Sequence, residues 1–267
     1  MGDAPLRRRL RDVWGAVREA AGGLVGLAFP AGCRLCDRPL EEPSRLPVCA
    51  RCLASFRRLA PPICGTCGRP MVAGAHFASA GPQCALCRRD VYVFSAARSF
   101  AAYDDALVRA VTILKHEGIP PLADWFAKRL ADVFHGEPAL QQVDVVVPVP
   151  MHPDRRRLRG HNQAELLSRA LARNLALPHE PRMIERVKPR PAKLKLSRHE
   201  RWSAARAAYA AASGARIDKR RVLLVDDVFT TGATLDACSR VLGAAGATGV
   251  AALTVARVVG AWDASAP

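Results

Sequence analysis

The sequence predicts an α/β fold: a parallel sheet flanked by helices, preceded by a cysteine-rich region. Three observations carry that expectation. Eight of the nine cysteines fall between residues 33 and 87, as four C-x2-C pairs. Beyond residue 90, short β-branched runs alternate with segments of helical period. Acidic and hydroxyl-rich motifs follow the ends of those runs, where open parallel sheets gather their ligands.

The 267 residues, 50% of them hydrophobic, suffice for a packed core and argue against general disorder. Forty Lys and Arg against 24 Asp and Glu give a net charge of +16. Such an excess points to an anionic partner: nucleic acid, a phosphorylated metabolite or a membrane surface. No run of 18 apolar, uncharged residues is present, so the sequence predicts no stable membrane insertion and a cytoplasmic location.

Residues 1–29 read as an amphipathic helix. Leu6, Leu10, Val13, Trp14 and Val17 recur at helical spacing with arginines between them. An export signal is the competing reading, because Arg7, Arg8, Arg9 and Arg11 precede an apolar patch and then Cys33. Gly22, Gly23 and Pro30 interrupt the pattern such a signal needs.

Residues 30–90 read as a double zinc ribbon. Cys33, Cys36, Cys49 and Cys52 are spaced C-x2-C-x12-C-x2-C, and Cys64, Cys67, Cys84 and Cys87 are spaced C-x2-C-x16-C-x2-C. A C-x2-C knuckle points two thiolates at one ion, and two knuckles complete a tetrahedral Zn2+ site. Two structural zinc ions are expected, paired sequentially in the simplest arrangement and crossed in the alternative. A disulfide framework suits small secreted proteins, and an iron–sulfur cluster also uses four cysteines. Arg34, Arg51, Arg69 and Arg88 lie near the knuckles and offset thiolate charge. Cys238 reads as a buried small hydrophobe.

Residues 91–267 read as the α/β domain. Residues 91–103 suggest β structure, with a hairpin as one form. Residues 106–116 and 122–134 read as helices, 144–149 (DVVVPV) as a strand buried on both faces, and 163–175 as a helix. Residues 221–225 (RVLLV) are a further buried strand, 234–245 a helix ended by Gly246, and 250–255 a last strand.

The segment VLLVDDVFTTGATL, residues 222–235, carries the chemistry. A buried strand ends in Asp226 and Asp227, and Thr230, Thr231, Gly232, Ala233 and Thr234 lead into a helix. Adjacent carboxylates suit the vicinal hydroxyls of a ribose, or a Mg2+ and its waters. Amides at a helix N-terminus favour a phosphate. Together these groups can hold a sugar by its hydroxyls and its 5′-phosphate. A G-x4-G-K-[ST] phosphate loop is absent. The order of strand, acidic pair and TTG loop resembles the phosphoribosyl pyrophosphate (PRPP) motif of type I phosphoribosyltransferases.

Two basic stretches accompany it. Arg155, Arg156, Arg157 and Arg159 read as a cationic loop after the DVVVPV strand, able to clamp a pyrophosphate in bidentate fashion. A solvated basic loop is the plainer alternative. Residues 182–206 hold nine Lys or Arg against Glu185 and Glu200. They fit a mobile hood over an anionic substrate, or a nucleic-acid-binding loop.

The combination resembles the ComF family of competence-associated proteins. The matching segments are LAFPAGCRLC (27–36), the paired knuckles, LKHEG (114–118), residues 144–167, LSRHER (196–201) and residues 222–235. The resemblance implies a zinc-ribbon region and a type I phosphoribosyltransferase-like domain. It further implies PRPP with Mg2+, single-stranded DNA, and a role in natural transformation beside DNA-uptake and recombination proteins. Lys115 resembles a family lysine placed to reach a phosphate. The expected DNA contacts are Arg155, Arg156, Arg157, Lys193, Lys195 and Arg198. His161 stands where Phe is common, Lys193 where Gln is common and Ala204 where Asn is common. The alternative function is a working transferase that moves phosphoribose from PRPP to a base-like acceptor. No general base and no acceptor pocket is evident in the sequence.

Overall fold

A computed structural model describes residues 32–40, 44–71, 77–78, 81–189 and 198–259. The expected helix over 1–29, and Lys193 and Lys195, lie outside these residues. The chain divides into two compact units, Met1–Ser55 and Phe56–Pro267. Each cysteine tetrad therefore falls in its own unit.

In the first unit, a tight turn returns the chain past Cys33. The Cys33 amide donates to Arg38 O at 2.7 Å, and Asp37 takes φ 58° to close the turn. A short helix, α1 (Ala50–Ala54), starts directly after Cys49. Leu35 and Val48 form the buried apolar part beside the thiols.

The second unit opens with a small antiparallel pair, β1 (Phe77–Ala78) and β2 (Gly81–Pro82). The expected hairpin over 91–103 is not formed. One strand, β3 (Ala96–Ala102), occupies this stretch and pairs in parallel with a distant partner. All seven of its residues are buried, so its company is the core rather than a neighbouring turn. Helices α2 (Asp105–Glu117) and α3 (Pro120–His135) follow. Gly118, at φ 61°, ends the first, and Pro120 sets the first turn of the second. Then come β4 (Val145–Pro148), α4 (Pro153–Arg159) and α5 (Gln163–Leu175).

The expected cationic loop is thus a helix. His152 accepts the Asp154 amide, Pro153 presets the first turn, and the arginines that follow are good helix formers. The stretch 182–206 is framed by an antiparallel pair, β5 (Ile184–Arg186) and β6 (Tyr209–Ala211), with α6 (Arg198–Arg206) between them. The last elements are β7 (Arg221–Phe229), α7 (Ala233–Ala244) and β8 (Gly249–Arg257).

The main sheet is parallel throughout, in the order β3-β8-β7-β4. Strand β7 runs through the acidic pair, where the sequence suggested an end. Its partner β8 is equally long, and pairing continues through Asp226↔Thr254 to Phe229↔Arg257. The fold class read from the sequence is borne out by this alternation of parallel strands and helices.

The second cysteine tetrad is part of the sheet's core. Cys64 and Cys67 are 0% and 1% exposed, and they cluster with Tyr92, Phe94, Val147 and Leu224. Gly68, at φ 68°, lies so close to β3 that a Cβ would sit 2.6 Å from Ala97 O. The Ala97 amide donates to Thr66 O at 2.7 Å, and Arg98 Nη1 donates to Gly65 O at 2.9 Å. No described helix is long and apolar enough to cross a membrane.

Candidate functional site

The eight knuckle thiols gather as Cys33, Cys36, Cys49, Cys52 and as Cys64, Cys67, Cys84, Cys87, each set with its ligand atoms within 4.8 Å of one another. This is the sequential grouping. Cys33 Sγ and Cys52 Sγ are 3.9 Å apart, Cys36 and Cys49 3.8 Å, and Cys67 and Cys84 3.7 Å. A tetrahedron with Zn–S bonds of about 2.3 Å has edges of about 3.8 Å. A disulfide needs about 2.05 Å, and all nine cysteines are free. The donor sets therefore fit zinc.

The thiols within each tetrad are not alike: burial first, and then its neighbours, push Cys52 up, and hydrogen bonding to Cys64 pushes Cys67 and Cys87 up. Burial raises the Cys33 thiol, but amides led by that of Cys49 outweigh it and bring the thiol to about 6. Beside the second tetrad lies Arg257, 1% exposed, at the end of β8. Its Nη1 donates to Cys67 O at 2.7 Å and its Nη2 is 3.8 Å from Cys67 Sγ. A buried cation needs an anionic neighbour, and a tetrathiolate centre supplies one.

The second candidate site lies at the carboxyl ends of β4 and β7. Asp227 is 5% exposed. Its Oδ2 accepts from Gln163 Nε2 at 3.0 Å and pairs with Lys115 Nζ at 3.1 Å. Asp226 Oδ1 accepts the Asp227 amide at 2.9 Å. Burial, and after it the Asp227 carboxylate, push Asp226 up to about 8.

Three elements meet at Asp227. Lys115 comes from the last turn of α2 and Gln163 from the first turn of α5. His161 shapes the junction between them. Its Nε2 lies 3.2 Å from Leu114 O, and its ring fills the space where Gly118 would carry a Cβ. The residue that departs from the common Phe therefore still packs as a flat ring. Lys115, expected to reach a phosphate, is placed on Asp227. Gln163 lies within the stretch 144–167, and no periodic signal in the sequence marks its contact with Asp227.

The loop after β7 turns at Gly232, whose φ of 80° suits glycine, and enters α7 at Ala233. Thr230 is exposed, and Thr231 and Thr234 are half-buried. Thr231 Oγ1 lies 3.4 Å from the Ala233 amide. Tyr209, which accepts from Arg186 Nη1 at 3.2 Å, is buried.

The basic helix α4 already holds partners. Arg156 Nη2 pairs with Glu165 Oε2 at 2.9 Å, Arg157 with Asp154, and Arg159 Nη1 donates to Gln163 Oε1 at 2.9 Å. Arg155, Arg156 and Arg157 nevertheless remain exposed, as does Leu158 at 91%. Arg198 begins α6. Two of the four tryptophans are described. Trp125 packs among Phe56, Phe100 and Phe126, and Trp202 lies against Tyr92.

Fold and site together define an α/β unit with a parallel main sheet, an acidic pair and a threonine loop on one strand, and two cysteine tetrads that fit zinc. No protein-family model matches the chain. Curated relatives carry competence names. Competence protein F of Haemophilus influenzae is 39% identical over 104 residues, 39% of this chain and 45% of that protein. The match thus spans about half the length of that relative. Competence protein ComFC of Bacillus subtilis is 28% identical over 238 residues, 84% of this chain and 92% of that protein. ComFC of Streptococcus pneumoniae is 28% identical and covers 79% and 87%. These relatives bear out the family resemblance read from the motifs. Among solved structures, adenine phosphoribosyltransferase from Thermoanaerobacter pseudethanolicus aligns at 16% identity and TM-score 0.34, over 53% of this chain and 83% of that chain. The PRPP amidotransferase of Bacillus subtilis aligns at 22% identity and TM-score 0.33, over 50% and 26%.

Proposed function

We propose that the chain binds PRPP with Mg2+ at the carboxyl ends of β4 and β7, and handles single-stranded DNA in natural transformation. The observation that carries the ligand is the order of groups along β7. An acidic pair, its Asp227 held by Lys115 and Gln163, stands two residues before a threonine loop at the N-terminus of α7. The pair faces ribose hydroxyls and metal-bound water, and the loop faces the 5′-phosphate. Magnesium would neutralise the pyrophosphate and draw Asp226 into its ionised form. The names of the relatives support the competence role, and the net charge of +16 supports an anionic polymer as partner. The cysteine centres serve as structural zinc sites, because closed four-cysteine sites leave no open position for chemistry.

Thermal unfolding tests the ligand. PRPP-Mg at about 100 times its Kd is expected to stabilise the protein by about 2.7 kcal/mol. The double change Asp226→Ala, Asp227→Ala should abolish that rise. An equal shift in the double variant would place the ligand elsewhere.

Salt dependence tests the DNA. Binding through four to six phosphates gives a slope of about −3 to −4 in log K against log salt on single strands. The Arg157–Asp154 pair is exposed on both sides and worth about 0–1 kcal/mol, so a phosphate can displace Asp154 from Arg157, whereas Arg156 is held by the buried Glu165 and reaches a phosphate through its exposed side. Replacing Arg155, Arg156 and Arg157 by Ala should flatten the slope by about 2 units. Fluorescence anisotropy over a salt series measures both numbers. Affinity that is absent at low salt, or indifferent to salt, removes the DNA role.

A further inference from the structure

Tyr92 belongs to no motif that the sequence offered. It lies in the segment between Cys87, the last ligand of the second tetrad, and β3. Its hydroxyl donates to the carbonyl oxygen of Thr231 at 3.0 Å. Its ring occupies the space that a side chain on Gly232 would need. A Cβ there would sit 2.5 Å from Tyr92 Cε1 and 2.8 Å from Phe229 Cζ. The ring is itself held on several sides. It stacks on Phe94 at 4.8 Å between centroids and meets Trp202 at 5.7 Å and Phe229 at 6.1 Å. The next residue fixes the segment to α7, because the Val93 amide donates to Asp236 Oδ1 at 3.0 Å.

The consequence follows from the geometry of one peptide unit. In a planar trans peptide the C=O and the N–H point in opposite directions. The peptide between Thr231 and Gly232 gives its carbonyl to the Tyr92 phenol. Its N–H, that of Gly232, is thereby directed away from Tyr92. That amide stands at the N-cap of α7, where orphan donors and the helix dipole favour an anion. A peptide next to glycine flips readily, because glycine accepts both signs of φ. Without the phenol hydroxyl, the carbonyl would be free to turn outward and repel the same anion.

We propose that Tyr92 is a positioning residue for the phosphate loop: by holding the Thr231 carbonyl it aims the Gly232 amide at the ligand's phosphate. The inference rests on reading residues 230–234 as a phosphate loop. It goes beyond that reading in assigning the loop's shape to a residue 139 positions away in the chain, anchored beside the second cysteine centre.

The test is Tyr92→Phe, which keeps the ring and removes the one hydrogen bond. Two measurements on the full chain are needed. The first is made without ligand: the Gly232 amide cross-peak in a 15N–1H spectrum. It should shift or broaden in the variant as the peptide gains a second orientation. The second is the Kd of PRPP-Mg, measured well below both melting temperatures. It should weaken at least tenfold while Asp226 and Asp227 are intact. A merely structural role would lower the melting temperature and leave this Kd unchanged. An unaltered Gly232 cross-peak, or an unaltered Kd, overturns the proposal. Should wild-type protein fail to bind PRPP-Mg at all, the function proposed above falls, and the ligand-free spectrum still decides whether Tyr92 holds the loop. Gly232→Ala provides a second variant. Its Cβ displaces the Tyr92 ring, and it should weaken the Kd of PRPP-Mg as Tyr92→Phe does.

Discussion

Cys67→Ser is expected to unfold the unit Phe56–Pro267, whereas Cys36→Ser should leave that unit folded. The difference lies in where each tetrad sits. Cys64, Cys67, Cys84 and Cys87 are all buried within the core that packs on the main sheet. Three of the four thiols of the first tetrad are half-buried, and that tetrad belongs to the other unit. Structural zinc contributes an apparent ~10–16 kcal/mol in small zinc domains. A whole domain is stable by about 5–15 kcal/mol. Losing the ion from inside a core of this kind is therefore comparable with losing the fold. Arg257 adds to the effect. It is buried, it lies over the Phe229 ring at 4.1 Å, and its Nη2 is 3.8 Å from Cys67 Sγ in the thiolate centre. Emptying that centre leaves an uncompensated cation in the core. Zinc analysis and thermal melts decide the matter. Wild-type protein should carry one ion for each of the two tetrads, and each variant should lose one. A Cys67→Ser protein whose second unit melts as in wild type would sink the argument.

The sequence showed those parts of the molecule whose signals are local. Cysteine spacing announced both tetrads, and the structure groups the thiols sequentially. Helix α5 begins and ends where its apolar period does. The acidic pair and the TTG loop were legible because they adjoin along one strand and turn. What escaped were pairings across long separations. The extra length of β7 depends on β8 continuing beside it to Arg257. The grip of Gln163 and Lys115 on Asp227 depends on two helix ends meeting at a strand. Over 153–159, four arginines in five residues carry no apolar stripe, so the sequence alone suggests a loop where the chain forms a helix. Its caps, His152 and Gly160, say more than its charge does. Arg257 shows the same limit in energetic terms. Nothing in an isolated arginine tells that it will lie buried against a sulfur centre.

The affinity for PRPP-Mg is expected to rise with pH and to level off above about pH 8, through Asp226. Burial comes first in raising this carboxyl, and the neighbouring Asp227 adds to it, bringing the group to about 8. The unfolded chain ionises it near pH 3.9. Between these values the folded protein holds a proton that the unfolded chain has released. Stability must therefore fall as pH rises through that window, with the loss complete above about pH 8. Asp226→Asn, which cannot ionise, should remove this fall and make the ligand-free protein more stable at pH 8. Ligand binding works in the opposite direction. A metal-bearing sugar phosphate favours the ionised carboxyl, so binding below pH 8 expels the proton. One proton released corresponds to a tenfold gain in affinity per pH unit. Calorimetry between pH 6.5 and 8 in two buffers of different ionisation enthalpy would measure both the affinity and the proton count. The ligand's own phosphates also titrate near the lower end of this range. The Asn variant carries that contribution alone, and its profile can be subtracted from that of the wild type. A wild-type profile no steeper than that of Asp226→Asn would show that Asp226 is not the group that must ionise, and would move the metal and ribose contacts onto Asp227.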